Sequence, residues 1–151
     1  MLESLTTESL SVGFLSRFLI FEAVDNDPPE NEAAEMSDVP RDIAERFNWW
    51  AGYQPGGNLS SVTPQPRRLV PAEDAVKVFR DFRQEVAIRR KAESGDSVLW
   101  TRAYEKARKL ALLHQVSRSR EAATIDRQAA QWACDVVESL TVRLEWLAEQ
   151  W

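Results

Sequence analysis

The residue with the clearest capacity for chemistry is Arg17, which interrupts the apolar stretch between Val12 and Phe21. A guanidinium group is costly to bury without a partner. Arg17 therefore points to solvent at a strand edge, pairs with a buried carboxylate such as Glu22, or is aimed at a charged group such as a phosphate. An arginine that reaches a nucleotide on a neighbouring subunit is an arginine finger. The sequence leaves these alternatives open.

The other reactive side chains lack the neighbours that catalysis requires. The single histidine, His114, falls on an apolar helical face, and the single cysteine, Cys134, lies within a helix; we expect both to pack. One Cys and one His do not make a zinc site. Glu30 and Glu32 lie in a proline-rich acidic stretch without an apolar wall, and no phosphate-binding glycine loop occurs. We expect no catalytic residue, no metal and no cofactor, so the chain alone is not expected to be an enzyme.

Basic residues concentrate in the second half of the chain. The net charge is −5, yet residues 67–120 contain fourteen bases and seven acids. Such a block can meet phosphates, with stacking on aromatic rings if the ligand is single-stranded nucleic acid. The alternative is that these bases only solvate outer helix faces. The candidates for phosphate contact are Arg67, Arg68, Lys106 and Lys109, and those for stacking are Trp100 and Tyr104.

Hydrophobic periodicity predicts a mainly α fold, with three long antiparallel helices in the C-terminal half. Apolar residues recur at intervals of three and four in each of them, and Asp126 has the side chain of an N-cap. The last helix carries an apolar stripe made of Ala129, Ala133, Val136, Leu140, Leu144, Leu147 and Trp151. The predicted helices span residues 72–93, 97–117 and 126–150.

The N-terminal half is predicted to be a loop-rich lead-in with a short β-strand. Aromatic and β-branched residues place the strand around residues 14–22, and a second short strand is expected over 67–70. A helix is expected over 41–53, after the start signal at Pro40. The predicted parts are 1–24, a helix plus strand that end a core domain; 25–66, acidic and Pro/Gly loops with one helix; and 67–151, a helical bundle.

Composition also bears on the compartment. No apolar run reaches the roughly 18 residues that suggest a membrane span, and the N-terminal region lacks the order of a secretory signal. One cysteine cannot form an internal disulfide. We therefore expect a cytoplasmic protein with no membrane partner.

Four short motifs resemble, in their order, those of RecA-like helicase/primase proteins of phages, prophages and plasmids, many of which contain a domain of unknown function. GFLSRFL at residues 13–19 is similar to the family's G-L/F-L-x-R-F-L segment. The other three motifs are AEDA at 72–75, KLALLHQVS at 109–117 and ID at 125–126. Order and spacing agree over roughly residues 9–150.

The resemblance implies that the chain is the C-terminal helical part of a DNA replication helicase or primase. The nucleotide-binding loop, with ATP and magnesium, then belongs to the N-terminal core of a parent protein. The partners are the remainder of that parent or neighbouring subunits, with single-stranded DNA as a further candidate. Residues 1–24 become the end of the RecA-like core, Arg17 becomes a sensor or finger arginine, and Lys109 stands where the family often has arginine.

Two other classes of function stay open. A helical adaptor or oligomerisation module would use the Trp49–Trp50 pair, Trp151 and the apolar end of the last helix. A binder of single-stranded nucleic acid would use the basic block. Arg17 separates the adaptor from the helicase fragment, because an adaptor has no need of a charge inside an apolar stretch.

Overall fold

The computed structural model of the chain describes residues 14–22, 39–53, 66–91 and 95–149. Residues 1–22 with 69–151 make one compact unit, and residues 23–68 make another. The helices of the described residues are α1 (Arg41–Gly52), α2 (Glu73–Lys91), α3 (Ala103–Arg118) and α4 (Arg127–Glu149), and the strands are β1 (Val70–Pro71) and β2 (Thr124–Ile125).

The larger unit is a three-helix bundle in which α3 runs antiparallel to α2 and α4. Asp126, at the start of α4, lies beside Gln115 near the end of α3. Arg89, near the end of α2, reaches Glu145 near the end of α4. β1 leads into α2 and β2 leads into α4, and the two strands pair in parallel. The predicted mainly α fold with a short strand is confirmed.

Alanines form the contact between α3 and α4, which we call the alanine seam. α3 contributes one buried alanine from each of its first three turns, and α4 contributes three from its first two turns. Because alanine carries only a methyl group, two helices that meet through alanines can lie close together at the density of a protein interior. The six fully buried alanines of the seam are Ala103, Ala107, Ala111, Ala129, Ala130 and Ala133.

The second helix, α2, covers the seam with larger side chains. Its buried residues recur at intervals of three and four, as the periodicity predicted, and the fully buried indole of Trp100 completes the core. The first turn of α2 is acidic and the last is basic, an order that complements the helix dipole. The buried residues of α2 are Ala75, Phe79, Phe82 and Val86.

Asp126 joins the end of α3 to the start of α4. Its Oδ1 accepts a hydrogen bond from the Ala129 N–H at 2.8 Å, which is the N-cap that the sequence predicted. The same carboxylate pairs with Arg118 at 3.0 Å, and the Asp126 N–H donates to Gln115 Oε1 at 3.0 Å. One side chain thus closes a helix end and ties two helices together.

The strand predicted around residues 14–22 is wrong. Leu15–Arg17 form a 3-10 turn, and residues 18–22 have no regular structure. A strand needs a neighbour to take up its backbone hydrogen bonds, and the two strands of the described ranges, β1 and β2, pair with each other. β1 overlaps the end of the short strand predicted over 67–70.

The buried face of α4 is rotated from the predicted stripe. Val136, Leu140 and Leu147 are only half-buried. The buried stripe instead continues from Ala133 through Val137 and Thr141 to Leu144, at intervals of four, four and three. Besides the alanines, the buried residues of α4 are Cys134, Val137, Thr141 and Leu144.

The helix predicted from residue 97 begins as a 3-10 segment, Gly95–Arg102, and becomes α-helical only at Ala103. This segment serves two clusters, because Leu99 packs with Leu15 and Leu144 while Trp100 enters the main core. Successive side chains diverge by about 120° in a 3-10 helix, against about 100° in an α-helix. The wider angle lets adjacent residues enter different clusters.

In the smaller unit, α1 begins directly after Pro40, as predicted. The rings of Trp49 and Trp50 lie 4.7 Å apart edge to face, and Trp49 stacks on Tyr53 at 5.1 Å. Exposed apolar side chains recur along one side of this segment, which we call the α1 apolar face. Its residues are Val39, Ile43, Phe47 and Trp50.

Some predictions fall on residues that the structure does not describe: the helix before Gly13, the acidic loop over 25–37, the loop over 54–66 except its last residue, and Trp151. Among the helices that are described, none has both the length and the apolarity of a membrane span.

Ala107→Leu is expected to destabilise the bundle, because a leucine in the alanine seam forces α3 and α4 apart. Overpacking of this kind costs about 1–3 kcal/mol. Urea unfolding followed by circular dichroism measures the loss. Ala87→Leu, on the exposed side of α2, is the matched control and should change the free energy of unfolding by less than about 0.5 kcal/mol. Unchanged stability of A107L would contradict the close packing.

Candidate functional site

Arg17 lies at the surface of the bundle, at the end of the 3-10 turn Leu15–Arg17. Leu15 is buried, whereas Arg17 is exposed between Phe14 and Phe18, which are also exposed. The two phenylalanine rings lie 4.8 Å apart. Within the described residues, Arg17 has no ion-pair partner. A cation and two aromatic rings therefore share one small surface, which we call the Arg17 surface.

Glu22 is not the partner of Arg17. Its carboxylate accepts from Arg143 of α4, with Oε2 at 2.6 Å from Nη2 and 2.7 Å from Nε. The Arg143 guanidinium also lies 4.0 Å from the centre of the Trp146 ring. The pairing expected for a structural Arg17 is therefore absent, and Arg17 keeps its charge exposed.

Apolar packing and two polar contacts hold the segment of residues 14–22 on the bundle. Leu15 packs with Leu99 and Leu144, the Lys106 ammonium donates to the Phe18 carbonyl at 3.1 Å, and Glu22 pairs with Arg143. The side chain of Arg17 is thus presented from a backbone held before and after it.

Lys106 and Lys109, both predicted to meet phosphates, lie on α3 and make intramolecular contacts. Burial lowers the pKa of Lys106, whose ammonium holds Phe18. Lys109 donates to Glu105 at 2.6 Å, and Arg102 pairs with the same carboxylate at 2.7 Å. These two bonds, that of Lys109 first, lower the pKa of Glu105 to about 2. The charge of Lys109 is therefore matched locally.

Arg67 and Arg68 belong to the unit of residues 23–68, whereas Lys106 and Lys109 belong to the bundle. Arg68 is exposed, and Arg67 is exposed but has an intramolecular contact. The four phosphate candidates are thus divided between two units.

Trp100 is not a stacking platform. Its indole is fully buried, donates from Nε1 to Glu145, and lies under the Arg89 guanidinium at 4.9 Å. The prediction was wrong because a tryptophan in a basic block can equally be its core residue. Tyr104 is only partly buried, and the guanidinium carbons of Arg83 and Arg108 lie 5.7 and 6.0 Å from its ring centre.

His114 and Cys134 have the surroundings of packed side chains. The imidazole stacks on Trp132 with ring centres 4.3 Å apart, and its Nδ1 is buried without a hydrogen-bond partner in the described part of the chain. Cys134 is buried in α4, and burial, with smaller contributions from the charges of Asp135 and Glu138, raises the pKa of its thiol to about 12. Such a thiol is a poor nucleophile at neutral pH.

Acidic side chains line a groove between α2 and α4, among them Asp81, Glu85, Asp135 and Glu138. Burial raises the pKa of Glu138, and the charge of Glu85 and its hydrogen bond raise it further, against the opposing charge of Arg89. Across the described ranges, no three His, Cys, Asp or Glu side chains are grouped so that they could hold a metal ion.

The sequence did not predict two groupings of charged side chains on the bundle. The pairing of Arg143 with Glu22 joins residues 121 positions apart, and no local pattern signals it. The meeting of Arg83 with Arg108 at Tyr104 carried a partial signal, since Tyr104 and Arg108 are four residues apart on one helix. Arg83 comes from another helix and needed the fold.

No family model, curated protein or solved structure matches this chain. The likeness to RecA-like helicase/primase proteins stays a prediction from the motifs.

Glu138→Gln is expected to raise the melting temperature at neutral pH. A raised folded-state pKa means that Glu138 favours folding below its unfolded pKa, and this contribution is lost as pH rises through the folded pKa. Glutamine removes the charge that is unfavourable above that range, so the gain should shrink near pH 4.

Thermal melting of the wild-type protein and of E138Q, at pH 7 and at pH 4, tests this expectation. Glu105→Gln is the opposite control: its lowered pKa contributes stability above the unfolded pKa, so this variant should not melt higher at pH 7. A lower melting temperature for E138Q at pH 7 would mean that its ionised carboxylate is favourable.

Proposed function

We propose that this chain is the helical part of a phage- or plasmid-type DNA replication helicase or primase, and that it presents Arg17 to the phosphates of a nucleotide bound by a neighbouring subunit. The observation that carries the proposal is the exposed guanidinium of Arg17, unpaired within the described residues, on a segment fixed to the bundle. The motif at residues 13–19 supports the same role. ATP and magnesium belong to the parent's N-terminal core.

An arginine finger stabilises the negative charge that spreads over the transferred phosphoryl group. Its charge must be free, because a carboxylate partner competes with the phosphate for the same donors. Its backbone should also be held, since ordering a mobile segment costs conformational entropy. Arg17 meets both conditions, because Leu15 anchors the turn and Arg143 engages Glu22.

Phe14 and Phe18 supply apolar surface on either side of Arg17. Arginine and aromatic side chains are enriched in the parts of protein interfaces that contribute most to binding. In the proposed assembly, the two rings pack against the neighbouring subunit and orient the guanidinium toward its nucleotide.

Arg17→Ala should leave the melting temperature of the isolated chain almost unchanged, because the side chain is exposed. In the full-length parent it should lower ATP turnover by roughly 10³-fold or more, the effect typical of an arginine finger. The matched control is Arg80→Ala, an exposed arginine of α2, which should change neither quantity. A large loss of melting temperature with normal turnover would end the proposal.

A protein-interaction or oligomerisation module is the second candidate, and the α1 apolar face favours it. Val39, Ile43, Phe47 and Trp50 follow one another at intervals of four, four and three, and all are exposed. Exposed apolar patches on one side of a helix mark sites of protein interaction. This candidate needs no nucleotide and assigns no role to Arg17.

Light scattering on the full-length parent separates the two candidates. If the Arg17 surface is the subunit contact, Phe14→Ser with Phe18→Ser should dissociate the assembly, whereas Phe47→Ser on α1 should leave it intact. The reverse result would favour the interaction module. Circular dichroism of each variant establishes that the helices are retained.

A further inference from the structure

Two arginines from different helices meet at the ring of Tyr104. Arg83 lies on α2 and Arg108 on α3, and their guanidinium carbons are 5.7 and 6.0 Å from the centre of the phenol ring. Phe79 supports the ring from the core, edge to face at 6.5 Å. Both arginines are exposed and Tyr104 is partly exposed. We call this group the Tyr104 cluster.

Several cations on the helices that carry the Tyr104 cluster are paired with carboxylates, whereas, within the described ranges, those of the cluster are not. Arg102 and Lys109 share Glu105, and Lys77 pairs with Asp81 at 3.0 Å. Arg89 approaches Glu85 at 3.5 Å, and Arg118 pairs with Asp126. In the part of the chain that the structure describes, neither Arg83 nor Arg108 has a carboxylate partner.

Two unpaired cations beside one ring leave a local positive potential in a chain whose net charge is −5. The negative face of an aromatic ring attracts a guanidinium and lowers the cost of holding two of them together. An anion that binds between the two arginines neutralises this potential. Phosphate suits guanidinium groups because they donate two parallel hydrogen bonds to it.

We propose that the Tyr104 cluster binds the phosphodiester backbone of single-stranded nucleic acid, with Arg83 and Arg108 on successive phosphates. Cations that track a backbone beside an aromatic side chain are the usual construction of single-strand sites. A duplex calls for a longer basic stripe along its axis, and the paired carboxylates on α2 and α3 interrupt one here. This inference does not depend on the role proposed for Arg17.

The test is fluorescence anisotropy of a labelled oligothymidine of about 12 nucleotides, within the usual single-strand site sizes, at low and moderate salt. Wild-type chain should bind with a slope of log K against log salt near −1.4, at about −0.7 per phosphate contacted. Arg83→Gln with Arg108→Gln should weaken binding by about tenfold or more at low salt and bring the slope toward zero.

The matched control is Arg41→Gln with Lys77→Gln. This variant also loses two positive charges at exposed positions. Each of these two cations already pairs with a carboxylate four residues along its helix. Its affinity should stay within about twofold of wild type, as expected for charges that contact no phosphate. An equal loss of affinity in both double variants would overturn the proposal, because binding would then depend on the net charge of the chain and not on these two arginines.

Four further results bear on the chemistry. Arg83→Lys with Arg108→Lys keeps the charge but not the paired donors, and a loss of affinity of a few-fold would support guanidinium–phosphate contact. Tighter binding of a duplex of equal length, or full competition by polyglutamate of equal charge, would overturn the assignment to a single strand. No binding by wild type at low salt would overturn it outright.

Discussion

Along the line where α3 meets α4, the side chains are methyl groups, and the rest of the bundle is arranged around that fact. The six fully buried alanines of the seam let α3 and α4 approach closely along the first part of α4. The helix α2 supplies larger side chains through Phe79 and Phe82, and the buried stripe of α4 continues through Val137. Removing water from apolar side chains of this kind is the main favourable contribution to folding.

The position of the segment that carries Arg17 depends indirectly on the packing of α3 against α4. Its anchor, Leu15, packs on Leu99 and Leu144, which belong to elements whose positions the seam fixes. In the 3-10 segment the side chains of Leu99 and Trp100 point in different directions, so Leu99 can pack in this second cluster. Exposed Phe14 and Phe18 are then left without cover by the bundle. The same packing that stabilises the fold therefore determines which surface remains for a partner.

Periodicity predicted the helices because each has one apolar side, and the side chains of Pro40 and Asp126 marked two of the starts. It failed for residues 14–22, since a run of apolar residues indicates burial and says little about conformation. It also misjudged the rotation of α4, because the buried face of a helix depends on where the neighbouring helices lie. Both failures concern which surfaces meet.

Among the candidate functional residues, those with a local signal were predicted and those that depend on distant contacts were not. Arg17 was recognisable because a charge stood in an apolar run, and that signal is local. Trp100 was misjudged because indoles occur both in cores and at binding surfaces, and only its contacts with Arg89 and Glu145 decide between them. The pairing of Glu22 with Arg143, and the meeting of Arg83 with Arg108, join distant parts of the chain and needed the fold.

The position of Cys134 gives this protein a built-in reporter of its own opening. It is the only cysteine in the sequence, and its thiol is buried in α4 with a pKa raised to about 12. Because the side chain is largely covered in the closed bundle, a thiol reagent is expected to react faster in molecules where α4 has moved away from α2. The labelling rate then measures how often the native helices come apart, without any probe added by mutation.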